Sequence, residues 1–451
     1  MGVVIESEIW EPNKTAYIFL FISSFFSIFL YPARSAANVF DHAPTVSFLR
    51  FQRDFLLLYS LSSVMEGLWD VFGEYELTYY GLNKEQMLVL LCVGCAVSLF
   101  IGSFLGVLSD LVGHKKLCLL FYMLHLFVNI LKMVNSAPAI WLASICLSLA
   151  SSIFSFSFET WIVIEHDKLG QRQDSLNHMF WLMTFFESAC FIGSQVLGNY
   201  LIDGDVNKNI RSTWNVAVVL VVAAIIYVNQ GWKEAPKRTL FKDYSIVFHR
   251  RVLCDFHLLD KRIWLLSLAQ ASVHFSVTVF WILWAPTVVA DGREVSLGLI
   301  YPCMLGSKML GSTGFPWLLP GSLAVRTEEY LVYVFIIMGT ALSIVAFDYQ
   351  EIGLLVVLFC IFHACMGLVL PSLARLRTMY VPNEVRGGMM TLSLAPANAA
   401  VLVFLMLRGY CQYIGNSILT AFAAFGLFTA AGCMHVLKKW GKQLHQSRHN
   451  L

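Results

Sequence analysis

Long apolar runs broken by short polar clusters recur along this chain from end to end. A helix needs about 20 mostly apolar residues to cross a bilayer core of about 30 Å, and in lipid it satisfies its own backbone hydrogen bonds. On that basis the pattern predicts thirteen membrane-spanning helices, at 16–31, 55–78, 86–108, 117–134, 139–164, 176–201, 213–232, 263–290, 295–318, 329–347, 352–374, 387–409 and 416–437. The first is short and ends at Pro32. The next twelve fall into two sets of six around a polar segment. The expected organisation is therefore an N-terminal anchor helix and linker (1–54), a six-helix bundle (55–232), a central loop (233–262), a second six-helix bundle (263–437) and a tail (438–451). The fold class is all-α and membrane-embedded.

Composition closes off other classes. The chain is 58% hydrophobic and 13% charged, against about 25% charged in a soluble domain, and that much apolar surface cannot be hidden from water. A net charge of +2 gives no basis for nucleic-acid binding. The charge is informative in its distribution: if Lys115 and Lys116 are cytoplasmic, the positive-inside rule places 23 of the 31 Lys and Arg residues on that side. A wrong helix count would scramble this split. It predicts an outside N-terminus and a cytoplasmic C-terminus, with the Asn13-Lys14-Thr15 sequon outside. The first apolar run, lacking a basic region before it, reads as a retained signal anchor, and Glu6 argues against myristoylation.

Most of the eleven cysteines lie inside apolar runs. Cys92-x-x-Cys95 has no second pair nearby, so it reads as small apolar packing, with no disulfide framework, no metal and no cofactor expected. No H-E-x-x-H and no nucleophile motif at a membrane interface occurs; the chain is not expected to be an enzyme.

Gly106-Val107-Leu108-Ser109-Asp110-Leu111-Val112-Gly113-His114-Lys115-Lys116 stands between two of these runs. The glycines permit a tight turn and close helix approach, and the lysines pin the turn to one side of the membrane. The run resembles the loop between helices 2 and 3 of the major facilitator superfamily, G-x-x-x-D-(R/K)-x-G-R-(R/K)-(R/K), with Leu111 and His114 at two usually basic positions. The resemblance implies two related six-helix bundles, here with one extra N-terminal helix. It also implies a conformational latch made of Gly106, Asp110, Gly113, Lys115 and Lys116. Gly102-Ser103 has a counterpart in Gly311-Ser312, an internal repeat that fits two related halves; there Leu319-Pro320-Gly321 takes the place of the acid and lysines.

Further strings resemble the narrower molybdate-anion transporter family. They are Ser47–Phe55 before helix 1, Ser157-Phe158-Glu159-Thr160-Trp161 with Glu165-His166 in helix 4, and Ala269-Gln270-Ala271 with Leu283-Trp284-Ala285-Pro286 in helix 7. Leu297-Gly298-Leu299-Ile300 and Leu310-Gly311-Ser312 in helix 8 match too, as does Pro371-Ser372 with Arg377 and Pro382. The chain departs from that family at the D-W-x-Q-x-P-Y run, which here is Glu66–Phe72 and keeps only the acid. Three basic positions have become Ser144, Trp181 and Leu394, and a helix 7 acid has become His274. An oxyanion site wants fixed cations, so this is a divergent member.

A charge at mid-bilayer costs roughly 2.5–3.5 kcal/mol, so each one needs a reason. Glu66 and Asp70, four apart, share a helix face and are candidates for substrate contact or a shared proton. Glu159 sits in a Phe-rich run, able to pair across the bundle. Glu187 and Lys308 are the other deep charges, and Lys308 is the leading candidate to replace the lost cations, since a buried ammonium must find a carboxylate or an anionic ligand. His274, His363 and Asn398 complete the substrate or proton-coupling candidates. Glu165 and His166 read equally as a gate or a solvated helix end.

These readings converge on a secondary active transporter working by alternating access, with an inorganic oxyanion, molybdate first, implied by the resemblance. The residues alone say a small polar or anionic solute. Two alternatives remain: a proton-coupled carrier of a small organic solute, and a non-transporting membrane receptor or scaffold. The expected partners are the solute and the lipid bilayer of a plasma membrane or endomembrane, with the protein as a monomer.

Overall fold

The computed structural model describes residues 9–35, 46–134, 136–170, 173–202, 206–231, 260–318, 326–347, 351–410 and 415–449. Nearly all of the central loop and the 319–321 turn lie outside the described residues, as do Cys254 and Cys411. The long helices are α1 (Lys14–Ser35), α2 (Val46–Tyr79), α3 (Lys84–Val112), α4 (His114–Val134), α5 (Ala137–Lys168), α6 (Gln173–Ile202) and α7 (Val206–Gly231). They continue as α8 (Lys261–Val288), α9 (Leu297–Leu318), α10 (Thr327–Ala346), α11 (Ile352–Tyr380), α12 (Arg386–Tyr410) and α13 (Asn416–His449). Each of the thirteen expected spans has its helix. Among the described residues nine of these helices are long and apolar enough to cross a membrane, while α1 and α7 hold shorter apolar stretches.

Local chemistry sets the helix ends. The Asn13 side chain accepts the Thr15 N–H at the start of α1, and Asn83 with Gln86 forms a capping box that starts α3. Gly113, at φ 114°, makes the whole turn between α3 and α4, a backbone conformation that glycine adopts without strain. A π-helical turn at Ser98–Gly102 interrupts α3. A Cβ added to Gly102 would stand 2.8 Å from Ser152 Oγ, and one on Gly94 would stand 2.6 Å from Ser148 Oγ. This small-residue seam brings α3 close to α5.

Packing divides the chain into two compact units, Met1–Asp41 with Ser272–Ser372 and Gln412–Leu451, and His42–Ala271 with Leu373–Cys411. In the second of these, α2 pairs with α6, α4 with α5, and α12 with α3. Its core is a ladder of rings: Phe55 stacks on Tyr59, Tyr59 on Phe154 and Phe154 on Phe121, with Phe158 and Trp161 edge-on or tilted beside them. In the other unit α10 pairs with α13 and α1 with α9. There α1 is held by the Tyr17 hydroxyl on the Leu299 carbonyl, by Leu20 and Phe21 against Gly306, and by backbone bonds between Trp10 and the strand-like 294–296 segment. The extra helix is thus packed into the fold. The described cysteines are free thiols, and Cys92 and Cys95 are half-buried on one helix.

Candidate functional site

Three of the acids that apolar runs made conspicuous, Glu66, Glu159 and Glu187, are each met by a partner on another helix. Glu66, buried on α2, lies 3.1 Å through Oε1 from His125 Nε2 on α4 and accepts the Ser151 hydroxyl of α5 on Oε2 at 2.6 Å. Asn129 donates to the His125 carbonyl at 2.8 Å, and Phe121 meets the imidazole edge-on. Glu187 on α6 accepts the Tyr59 hydroxyl at 2.7 Å. Asp70, though four residues from Glu66, is exposed, so the two carboxylates do not share one environment.

A second cluster joins α3, α5, α8, α11 and α12. Arg377 grips Glu159 with both arms, Nε donating to Oε1 at 2.7 Å and Nη2 to Oε2, while Nη1 reaches Gln270 Oε1 at 3.2 Å. The two side chains are only 9% and 13% exposed, and bidentate guanidinium–carboxylate geometry is among the strongest polar contacts available. Asp110 accepts the Gly387 N–H on Oδ1 at 3.1 Å and the Gly388 N–H on Oδ2 at 2.8 Å. Those two donors belong to the first turn of α12, where unpaired amides and the helix dipole favour an anion. Thr391 adds a hydroxyl bond to the Ser103 carbonyl at 2.8 Å.

Gly106 explains how the helices come this close. A Cβ there would overlap the Gly387 carbonyl, and one on Gly387 would stand 2.8 Å from both Asp110 Oδ1 and the Gly106 carbonyl. Of the other expected latch residues, Gly113 makes the turn, Lys115 is half-buried and Lys116 exposed. His114, at a position usually basic in the resembled loop, is buried with Nδ1 2.7 Å from the Ser109 hydroxyl.

The remaining candidates belong to the other unit or stand apart from these clusters. His363 on α11 is buried, with Nδ1 2.9 Å from the Phe359 carbonyl and the rings of Phe280, Trp281 and Phe362 about it. Lys308, half-buried on α9, is near enough for its charge to act on that imidazole. His274 on α8 and Asn398 on α12 are half-buried. Among the described residues no group of three or more His, Cys, Asp or Glu is placed to hold a metal ion.

Residues 17–355 match the model of a major facilitator family described as sugar transporters with 12 transmembrane helices. The chain belongs to this family. It is a multi-pass membrane transporter and not an enzyme. The molybdate-anion transporter of Xenopus tropicalis is 22% identical over 396 residues, covering 86% of each chain. That of Takifugu rubripes is 24% identical over 312 residues, covering 63% of this chain and 62% of its own. Among solved structures, a bacterial homologue of the iron transporter ferroportin in an outward-facing state has a TM-score of 0.67 at 14% identity, covering 86% of this chain and 99% of that one. The Escherichia coli fucose:proton symporter has a TM-score of 0.66 at 13% identity, covering 87% and 99%. Both show the major facilitator fold.

Within this transporter the sequence reading missed His125, Ser151 and Arg386. His125 interrupts the apolar run Phe121–Ile130 as plainly as His274 and His363 interrupt theirs, so the same rule finds it. Arg386 stands before Gly387-Gly388 at the start of an apolar run, a helix N-terminus able to cradle an anion. Arg377 was quoted among the family strings, but its partner Glu159 is 218 residues away.

Proposed function

We propose that this chain is a secondary transporter that moves a small inorganic oxyanion, molybdate first, by alternating access. In this reading two six-helix halves, 55–232 and 263–437, rock about a midplane site. The single observation that carries the mechanism is the Asp110 carboxylate on the Gly387 and Gly388 amides. With Glu159–Arg377 beside it, this contact closes one end of the bundle, read as the cytoplasmic end from the lysines after Gly113. Alternating access requires that it break and re-form once per cycle. The side chain that recognises the solute in the midplane is proposed to be Lys308, with His363 and the neighbouring rings. The resemblance to relatives named for molybdate supports the solute class. Uptake into proteoliposomes, read by elemental analysis for molybdenum, tests it: accumulation above empty vesicles is expected, and its absence overturns the molybdate reading.

A second reading, coupling to protons, is favoured by Glu66. A carboxylate held by a histidine and a hydroxyl can take and release one proton within a bilayer. An imposed pH gradient should then drive uptake in the wild type and fail to drive it in Glu66→Gln. Equal uptake in both would remove the coupling role.

A further inference from the structure

Arg386 is the largest fully buried side chain described, at 0% exposure. Its Nη2 donates to the Val381 carbonyl and to Asn383 Oδ1, both at 3.2 Å. Its Nε and Nη1 meet no hydrogen-bond partner among the described residues. A buried guanidinium donor left unbonded is costly, the more so on a charged group. The charges acting on it are Glu159, Arg377 and Asp110, and both acids are engaged elsewhere. Glu159 is taken bidentately by Arg377. Asp110 spreads its two oxygens over the Gly387 and Gly388 amides, the residues directly after Arg386.

Two amides at the first turn of a 25-residue helix, directly after an arginine with two unbonded guanidinium donors, are groups of the kind that bind an anion with several oxygens. We propose that the N-terminus of α12 together with Arg386 is a binding site for a tetrahedral oxyanion, and that Asp110 fills it in this conformation as the chain's own anion. When this end opens, α12 leaves Asp110, and the solute takes its place on the Gly387 and Gly388 amides and the unbonded Arg386 donors. Arg377, released from Glu159, adds a second cation. The site therefore receives the oxyanion at the mouth where it leaves or enters, and the two anions compete for one set of donors. This deepens the transport reading, on which it rests, by naming where the oxyanion is held at the mouth, before or after the midplane site proposed at Lys308.

Titration calorimetry of the detergent-purified full chain tests it, with molybdate, sulfate and phosphate as probes. Asp110→Ala should tighten oxyanion binding by about tenfold or more, the scale of charged hydrogen bonds. Adding Arg386→Lys, which keeps the charge and loses the fork, should remove that gain; Arg386→Gln serves if the lysine variant does not fold. Unchanged affinity in Asp110→Ala overturns the proposal, as does a gain that survives both Arg386 substitutions. Wild-type vesicles that take up molybdate, with no gain in Asp110→Ala, would remove this site and leave the transport reading standing. A gain through Arg386, with no uptake of any of the three anions by wild-type vesicles, would support the site and remove the transport reading.

Discussion

Two helix crossings in this transporter depend on bare glycines, and they are built differently. Where α9 meets α11, a Cβ on Gly311 would overlap the Ala364 carbonyl and one on Gly367 would strike the Lys308 carbonyl and the Ser312 amide. The hydroxyls nearby turn back onto their own helix, Ser312 to the Met309 carbonyl and Thr313 to the Leu310 carbonyl. Where α3 meets α12, Gly106 and Gly387 make an equally close approach, but polar groups reach across: Asp110 to two amides and Thr391 to the Ser103 carbonyl. Steric fit between apolar backbones has no substitute partner and holds in one arrangement. Hydrogen bonds at a helix end can be exchanged for water or a solute. In the proposed transport cycle the first crossing would act as a weld and the second as a latch, although the same residue pair, Gly-Ser, stands at 102–103 and 311–312.

Substitutions can break or sharpen that contrast. The largest effect is expected at the weld: Gly367→Leu cannot be seated without parting α9 from α11, and overpacking by a side chain against two backbones should exceed about 3 kcal/mol. Size-exclusion chromatography should show little folded protein, and a well-folded variant would end the distinction. Next comes Arg377→Ala, which leaves Glu159 buried without its guanidinium and should destabilise by roughly 3–5 kcal/mol. Glu159→Gln in the same chain should restore part of the lost melting temperature. Smaller still is Asp110→Asn, which weakens a cap-like contact worth roughly 0.5–2 kcal/mol. Its effect should appear as a shifted conformational equilibrium, read as faster thiol labelling of a cysteine placed at Thr391. Unchanged labelling would make the latch another weld. Lys116→Ala, at an exposed position, should change stability by no more than about 0.5 kcal/mol.

How far the sequence reaches can be judged from these same residues. Glu66, Glu159 and Glu187 stood out because an acid in an apolar run is an exception that needs a reason, and each has one in a partner. Asp70 obeyed the same rule and proved exposed, because helical spacing fixes angle around the axis and not depth. Lys132 pairs with Glu76 at 2.7 Å and lies over the Trp69 ring, a choice made by α2 and α4 together.

The sequence by itself determined the thirteen helices and the turn at Gly113, since apolar length against bilayer thickness and glycine's freedom at positive φ are local properties. Only the tertiary structure decided which groups meet. Asp110 reaches Gly387 across 277 residues, and Arg377 rather than a lysine or histidine takes Glu159. Pairing of that kind depends on the register of distant helices, which no single run of residues contains.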